Sequence, residues 1–146
     1  MAITSILLDT NAYTAFKRNK LDTLEIIRNV DIIGINSVII GELLGGFALG
    51  NKEGINRDEL QKFLSSSRIK IFNIDRETAE YYALIYKELR QKGRPIPTND
   101  MWIAATAIQH NLILFTYDSD FLSISNLKIG NCLTDFIQQT LNKSYE

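Results

Sequence analysis

Short apolar runs alternate along the chain with longer amphipathic stretches. Ile3 to Leu8 is a compact run dominated by Ile and Leu, the pattern of a strand buried on both faces. Turn-forming Asp9-Thr10-Asn11 follows, and Leu21, Leu24, Ile26 and Ile27 then recur at helical spacing. Asp31 to Ile35 repeats the strand pattern, and Asn36-Ser37 offers an N-cap for a helix through Val38, Leu43 and Leu44. Past the glycines at Gly45-Gly46 and Gly50, Arg57 to Leu64 is amphipathic and Ile69 to Ile74 reads as a strand. Asp75 and Thr78 stand ahead of a long helix through Tyr82, Ile85, Tyr86 and Leu89. Pro95-Ile96-Pro97 forces an extended connector, after which Thr98 or Asn99 is expected to cap a helix from Asp100 to about His110. Leu112 to Thr116 is another buried-type strand, followed by a short strand around Leu127 to Ile129 and a helix from Thr134. This alternation predicts an α/β fold, a three-layer sandwich with a central, mostly parallel sheet flanked by helices.

Composition narrows the classes. A chain of 146 residues is expected to form a single domain, 1–146. Hydrophobic residues at 45% and charged residues at 23% are the ordinary globular mixture. Sixteen basic residues against 17 acidic leave a formal charge of -1, which excludes a histone-like or basic-tail binder. Any contact with nucleic acid must then rest on a local patch. One cysteine, Cys132, can form neither an internal disulfide nor a zinc site, so a reducing, cytoplasmic setting is expected and Cys132 reads as a small core residue. No apolar run approaches the roughly 18 residues of a membrane span, and Met1 to Leu8 reads as a strand in place of a signal peptide.

The acids carry the chemistry. In an open parallel sheet, ligands collect beyond the carboxyl ends of the strands. Asp9 follows the first strand, Glu42 lies about one turn into the helix after the second, Asp100 falls in the first turn of its helix, and Asp118, with Asp120 beside it, follows the strand ending at Thr116. Singly, each has a structural reading: Asp9 and Asp118 as turn formers, Asp100 as a partner of the helix dipole. Glu42 resists that reading, because it sits among Val38, Ile39, Ile40, Leu43 and Leu44 with no Lys or Arg within a turn. An unpaired buried carboxylate costs several kcal/mol. A cation offsets that cost, and hard oxygen ligands select Mg²⁺ or Mn²⁺. The residues alone therefore suggest a divalent-metal site that handles phosphate esters.

Four blocks carry a family resemblance: LLDTNAY (Leu7 to Tyr13), SVIIGELLGGFALG (Ser37 to Gly50), PIPTNDMWIAATAIQHNLILF (Pro95 to Phe115) and the TYDSDF that follows it (Thr116 to Phe121). In this order and spacing the chain resembles the PIN-domain ribonucleases, and among them the small VapC-like toxins of toxin–antitoxin pairs. The resemblance implies a PIN-like fold and cleavage of RNA dependent on Mg²⁺ or Mn²⁺. It further implies a homodimer and a cognate antitoxin protein that blocks the site. By position, Asp9, Glu42, Asp100 and Asp118 match the metal-binding acids, with Asp120 as an additional candidate. Thr10 and Thr116 match hydroxyls that tie strand ends to the acids, and Asn11 lies beside the first. Two basic groups are candidates for the RNA backbone: Lys17, Arg18 and Lys20, and the more favourably placed Lys87, Arg90, Lys92 and Arg94.

Other features have simpler readings. His110 fits a helix C-terminus, and Trp102, Tyr81, Tyr82 and Tyr86 fit core or dimer packing. Gly45-Gly46 lacks the Lys-Ser/Thr of a phosphate loop and instead thins its helix for the approach of another chain. A haloacid-dehalogenase-type phosphatase is the runner-up, but Asn11 stands where its second Asp belongs. A PIN-like binding module without catalysis is the third reading.

Overall fold

The structure, a computed structural model, describes residues 4–137. Five short strands, β1 (Ser5–Leu8), β2 (Ile32–Asn36), β3 (Ile69–Phe72), β4 (Ile113–Phe115) and β5 (Ile129–Gly130), form one sheet in the order β3-β2-β1-β4-β5. Every pairing is parallel. Parallel strands need covered crossovers, so the central strands are apolar on both faces: Ile6, Leu7, Leu8, Leu114 and Phe115 are all fully buried.

Helices supply the cover, among them α1 (Thr10–Lys17), α2 (Leu21–Asn29), α3 (Ser37–Leu49), α4 (Glu53–Leu64), α5 (Arg76–Lys92) and α6 (Thr98–Gln109). The chain lays down β1, β2 and β3 in one direction and then returns to place β4 on the opposite side of β1. That reversal is the topological switch point, where an open α/β sheet parts its connections and leaves a crevice. It falls between the ends of β1 and β4, the two strands that lead into Asp9 and Thr116. The Asp9 N–H closes this join by donating to the Phe115 carbonyl at 3.0 Å.

One buried amide sets two helices against each other. Asn36, fully buried, caps α3 by accepting from the Ile39 N–H at 2.9 Å, and its Nδ2 donates to Thr106 Oγ1 of α6 at 3.0 Å. The helix that carries Glu42 and the helix that carries Asp100 are therefore registered through one side chain. The cap follows from the sequence, whereas the partner 70 residues away does not. Beside it, Gly34 allows the close approach of Phe72: a Cβ there would stand 2.7 Å from the ring.

Several local expectations are corrected. The turn at Asp9-Thr10-Asn11 is the start of α1, because the Asp9 carboxylate accepts from the Thr10 N–H at 2.8 Å and serves as the helix cap. Neither Thr98 nor Asn99 caps α6; Pro97 holds the N-cap position without a side-chain bond, and Thr98 is already helical. Strand β3 ends at Phe72, and the last strand is Ile129–Gly130. Cys132 is exposed, in a polar turn where Sγ stands 3.3 Å from both Thr134 Oγ1 and Asp135 Oδ2. The helix expected from Thr134 is seen over 133–137, and its continuation lies outside the described residues. His110 closes α6 as expected, its ring 4.5 Å from that of Phe72.

Candidate active site

At the switch point a hydrogen-bonded network ties the ends of β1 and β4 together. Asp9 is buried, 5% exposed, and its Oδ2 accepts from the Thr116 hydroxyl at 2.7 Å. Asn11 spans the same gap: its Nδ2 reaches Asp9 Oδ2 at 3.4 Å and Thr116 Oγ1 at 3.3 Å, while its Oδ1 accepts from the Tyr117 N–H. Thr116 in turn accepts from the Asp118 N–H at 3.0 Å. Thr10 works on the other side, donating its hydroxyl to Glu42 Oε1 at 2.7 Å. Thr10, Asn11 and Thr116 thus connect three of the acids.

Asp100 joins them through its charge. Burial first, and then the neighbouring carboxylates of Asp9, Asp118, Glu42 and Asp120, push its pKa up to about 6. Burial also raises the Asp9 carboxyl, opposed by the bonds from Thr116 and Thr10 and reinforced by Glu42 and Asp118. Five acids from four separate stretches of sequence therefore sense one another at one edge of the sheet. Among the described residues the ion pairs are Lys17–Glu59, Lys20–Asp22 and Lys92–Glu88, none of which neutralises these acids.

The two final-turn acids differ in setting. Asp118 is half-buried, linked to Thr116, and its Oδ1 accepts from the Asp120 N–H at 2.9 Å, starting the 3₁₀ turn Ser119–Ser123. Asp120 is exposed, and its charge is the weakest of those felt by Asp100.

Among the described residues no three His, Cys, Asp or Glu side chains already stand as a closed set of metal ligands. Repulsion explains the spacing, since like charges without a counter-ion settle on hydroxyl and N–H donors. The donor chemistry nevertheless fits a hard divalent cation: every candidate ligand is a carboxylate oxygen, Asp100 is raised by burial and then by its neighbouring carboxylates, and no ion pair among the described residues neutralises them.

The basic candidates divide. Lys92 is held by the Ser123 carbonyl at 2.8 Å and by Glu88 at 3.4 Å, and Arg90 lies on Tyr86 with a 2.8 Å bond to its hydroxyl. Lys87 and Arg94 are exposed. Lys17 and Arg18 instead converge with Lys52, which composition alone did not single out, on one cavity. Lys20 rests on the ring of Tyr117, 4.1 Å from its centroid. Tyr82 and Trp102 stack at 4.2 Å on the α5–α6 face.

An open parallel sheet with carboxylates gathered at its switch point defines an acid-lined α/β protein of the nuclease type. The model of the PIN-domain family matches residues 6–127, and the chain belongs to that family. It is 33% identical over 130 residues to Ribonuclease VapC2 of Rickettsia felis, covering 86% of this chain and 96% of that one. Ribonuclease VapC4 of Mycobacterium tuberculosis is 32% identical over 97 residues, 66% of this chain and 74% of that one. The crystal structure of VapBC2 from Rickettsia felis bound to a DNA fragment from its promoter superposes with a TM-score of 0.76 at 31% identity, over 87% of this chain and 98% of that one. Family membership removes the phosphatase reading. PIN-domain ribonucleases depend on metal as a class. No helix among the described residues is long and apolar enough to cross a membrane.

Proposed function

We propose that this chain is an endoribonuclease toxin that hydrolyses RNA phosphodiesters with Mg²⁺ or Mn²⁺, held by Asp9, Glu42, Asp100 and Asp118. The observation that carries the reading is the gathering of these acids around one hydrogen-bonded network, where burial first and then the carboxylates of Asp9, Asp118, Glu42 and Asp120 raise Asp100 and no ion pair among the described residues neutralises them. When bound, the divalent ion activates water and stabilises charge on the phosphate.

The rest of the work falls to side chains. Thr116 and the Thr10 N–H keep the Asp9 carboxylate in a single orientation. The Thr10 hydroxyl does the same for Glu42, so one residue aligns two acids on neighbouring elements. Asn11 fixes the spacing between β1 and β4. Such alignment matters because a misplaced ligand lowers the rate steeply. Asp118 is the fourth acid on this reading, since it shares Thr116 with Asp9.

The relatives named for their place in VapBC pairs support a cognate antitoxin as the protein partner, and we extend this to a homodimer of the chain. The test is direct. Purified protein is expected to cleave single-stranded RNA with Mg²⁺ or Mn²⁺, to stop on adding EDTA, and to lose cleavage in Asp9→Asn at unchanged circular dichroism. A wild-type protein that binds a partner but cleaves no RNA with either metal would assign it to the non-catalytic binding modules.

A further inference from the structure

Between α1, α3 and α4 lies a cavity of about 500 Å³, within the range of small-ligand sites. Its rim carries Lys17 and Arg18 from the end of α1 and Lys52 from the start of α4, against a single acid, Glu59. Lys17 and Glu59 pair at 3.3 Å, which leaves Arg18 and Lys52 without an ion-pair partner among the described residues. In a chain with a net charge of -1, this concentration of uncompensated positive charge is local. Phe47 of α3 provides an aromatic wall. Tyr13, also in the lining, holds the buried hydroxyl that lacks a hydrogen-bond partner among the described residues. A buried hydroxyl in that state wants an acceptor.

Position relates this cavity to the acids. α1 begins at Thr10, beside Asp9 and Glu42, and ends at Lys17. Eight residues of helix rise about 12 Å, a span that a single RNA strand covers within a few nucleotides. The helix is thus a short rail, with the acids at one end and the cations at the other. The alternative basic group on α5 is partly spent on its own neighbours, Lys92 on Ser123 and Glu88, Arg90 on Tyr86.

Resting on the ribonuclease reading, we propose that this cavity is a nucleotide subsite for the substrate strand outside the cut. Arg18 and Lys52 take a backbone phosphate, and Phe47 offers a face to the adjoining base. Cation contacts and one stacking ring are the usual means by which single-stranded RNA is held without reading its sequence.

The experiment compares two double variants on a single-stranded RNA oligonucleotide. Arg18→Gln/Lys52→Gln is expected to raise KM about tenfold with kcat within about twofold of wild type, whereas Arg28→Gln/Arg76→Gln, at two exposed arginines of α2 and α5, leaves both unchanged. In an Asp100→Asn background, which separates binding from cleavage, the first pair should lower the salt slope of RNA binding by about two. Phe47→Ala is expected to weaken binding at an unaltered slope. If the first pair is unstable, Lys52→Gln alone, at an exposed cap with no side-chain bond, should lower the slope by about one. Unchanged KM and slope in the first pair, or the loss appearing in the second pair, overturns the subsite. So does a first pair that keeps RNA binding but loses binding of poly-glutamate, which would make the cavity a protein site. A wild type that binds RNA with the full slope and cleaves none would instead overturn the ribonuclease reading and leave the subsite standing.

Discussion

Two clusters in this molecule are built from the same parts, an acid that caps a helix, a threonine hydroxyl and a carboxamide. At the joint between α5 and α6, Asp75 accepts from the Thr78 N–H at 3.0 Å and from Gln109 Nε2 at 3.2 Å, and Thr78 donates to Gln109 Oε1 at 2.6 Å. Asp9, Thr116 and Asn11 repeat the pattern between β1 and β4. Yet the two carboxyls move in opposite directions. Hydrogen bonds, first from the Thr78 backbone and then from Gln109, hold Asp75 below the ordinary carboxylate range, whereas burial drives Asp9 above it. Hydrogen-bond chemistry therefore does not separate a structural cluster from a site. Burial combined with uncancelled like charge does, because a fold gains nothing from either unless a ligand offsets them.

The largest effect expected from this contrast is on activity and stability together. Asp100 accepts no hydrogen bond in the described network and is surrounded by repelling acids. Asp100→Asn should reduce RNA cleavage at least about a hundredfold and, in a chelator, raise Tm by a few degrees. Asp75→Ala should do the reverse: it removes the capping box of α5, lowers Tm by a few degrees and leaves cleavage near wild type. Added Mg²⁺ should stabilise wild type by mass action and the Asp100 variant much less. Thermal melts with and without metal, beside RNA cleavage rates, read both arms. If Asp100→Asn destabilises the metal-free protein, the acids do not repel as described.

Much of this contrast was already visible along the chain. The apolar runs Ile3 to Leu8 and Leu112 to Thr116 predict strands buried on both faces of a mostly parallel sheet, and the structure has β1 and β4 side by side within it. The acids after those strands follow from the switch-point rule. What stayed hidden depends on tertiary contact. Asp9 reads as a turn former because nothing local says that a helix begins at the next residue. Asn36 declares itself a cap, but its bond to Thr106 needs the fold. Cys132, apolar by type, lies in a polar turn because the surrounding Thr134 and Asp135 bind the local backbone and sulfur. Charge clusters are the least legible, since Lys52 meets Arg18 only through the packing of α4 beside α1.

A smaller effect sharpens the choice within the last turn. Asp118 is bound to the Asp9 network through Thr116, while Asp120 is exposed and only contributes the weakest of the charges felt by Asp100. Asp118→Asn should therefore cost roughly ten times more in kcat than Asp120→Asn, about 1.4 kcal/mol of barrier. Equal losses would make both carboxylates ligands, and the opposite order would exchange their roles.

The smallest effect is a pair of opposed slopes in metal-free stability against pH. Asp100 has its folded pKa raised to about 6 against an ordinary value of 3.8, so between these values the folded state binds more protons than the unfolded one. Its contribution is complete below 3.8 and is lost as pH rises through about 6. Asp75 has the opposite sign: its lowered pKa stabilises the fold above 3.8, and that contribution is lost as pH falls through the folded value. In a chelating buffer, Tm should then fall from about pH 4 to pH 6.5, and Asp100→Asn should shrink that limb to the part that Asp9, raised by burial, still contributes. Asp75→Ala should weaken only the acid limb. Saturating Mg²⁺ should remove or reverse the falling limb, because the cation competes with protons for the same carboxylates and stabilises the fold more as pH rises. A limb that survives Mg²⁺ unchanged would mean that the acids share an electrostatic neighbourhood without sharing an ion.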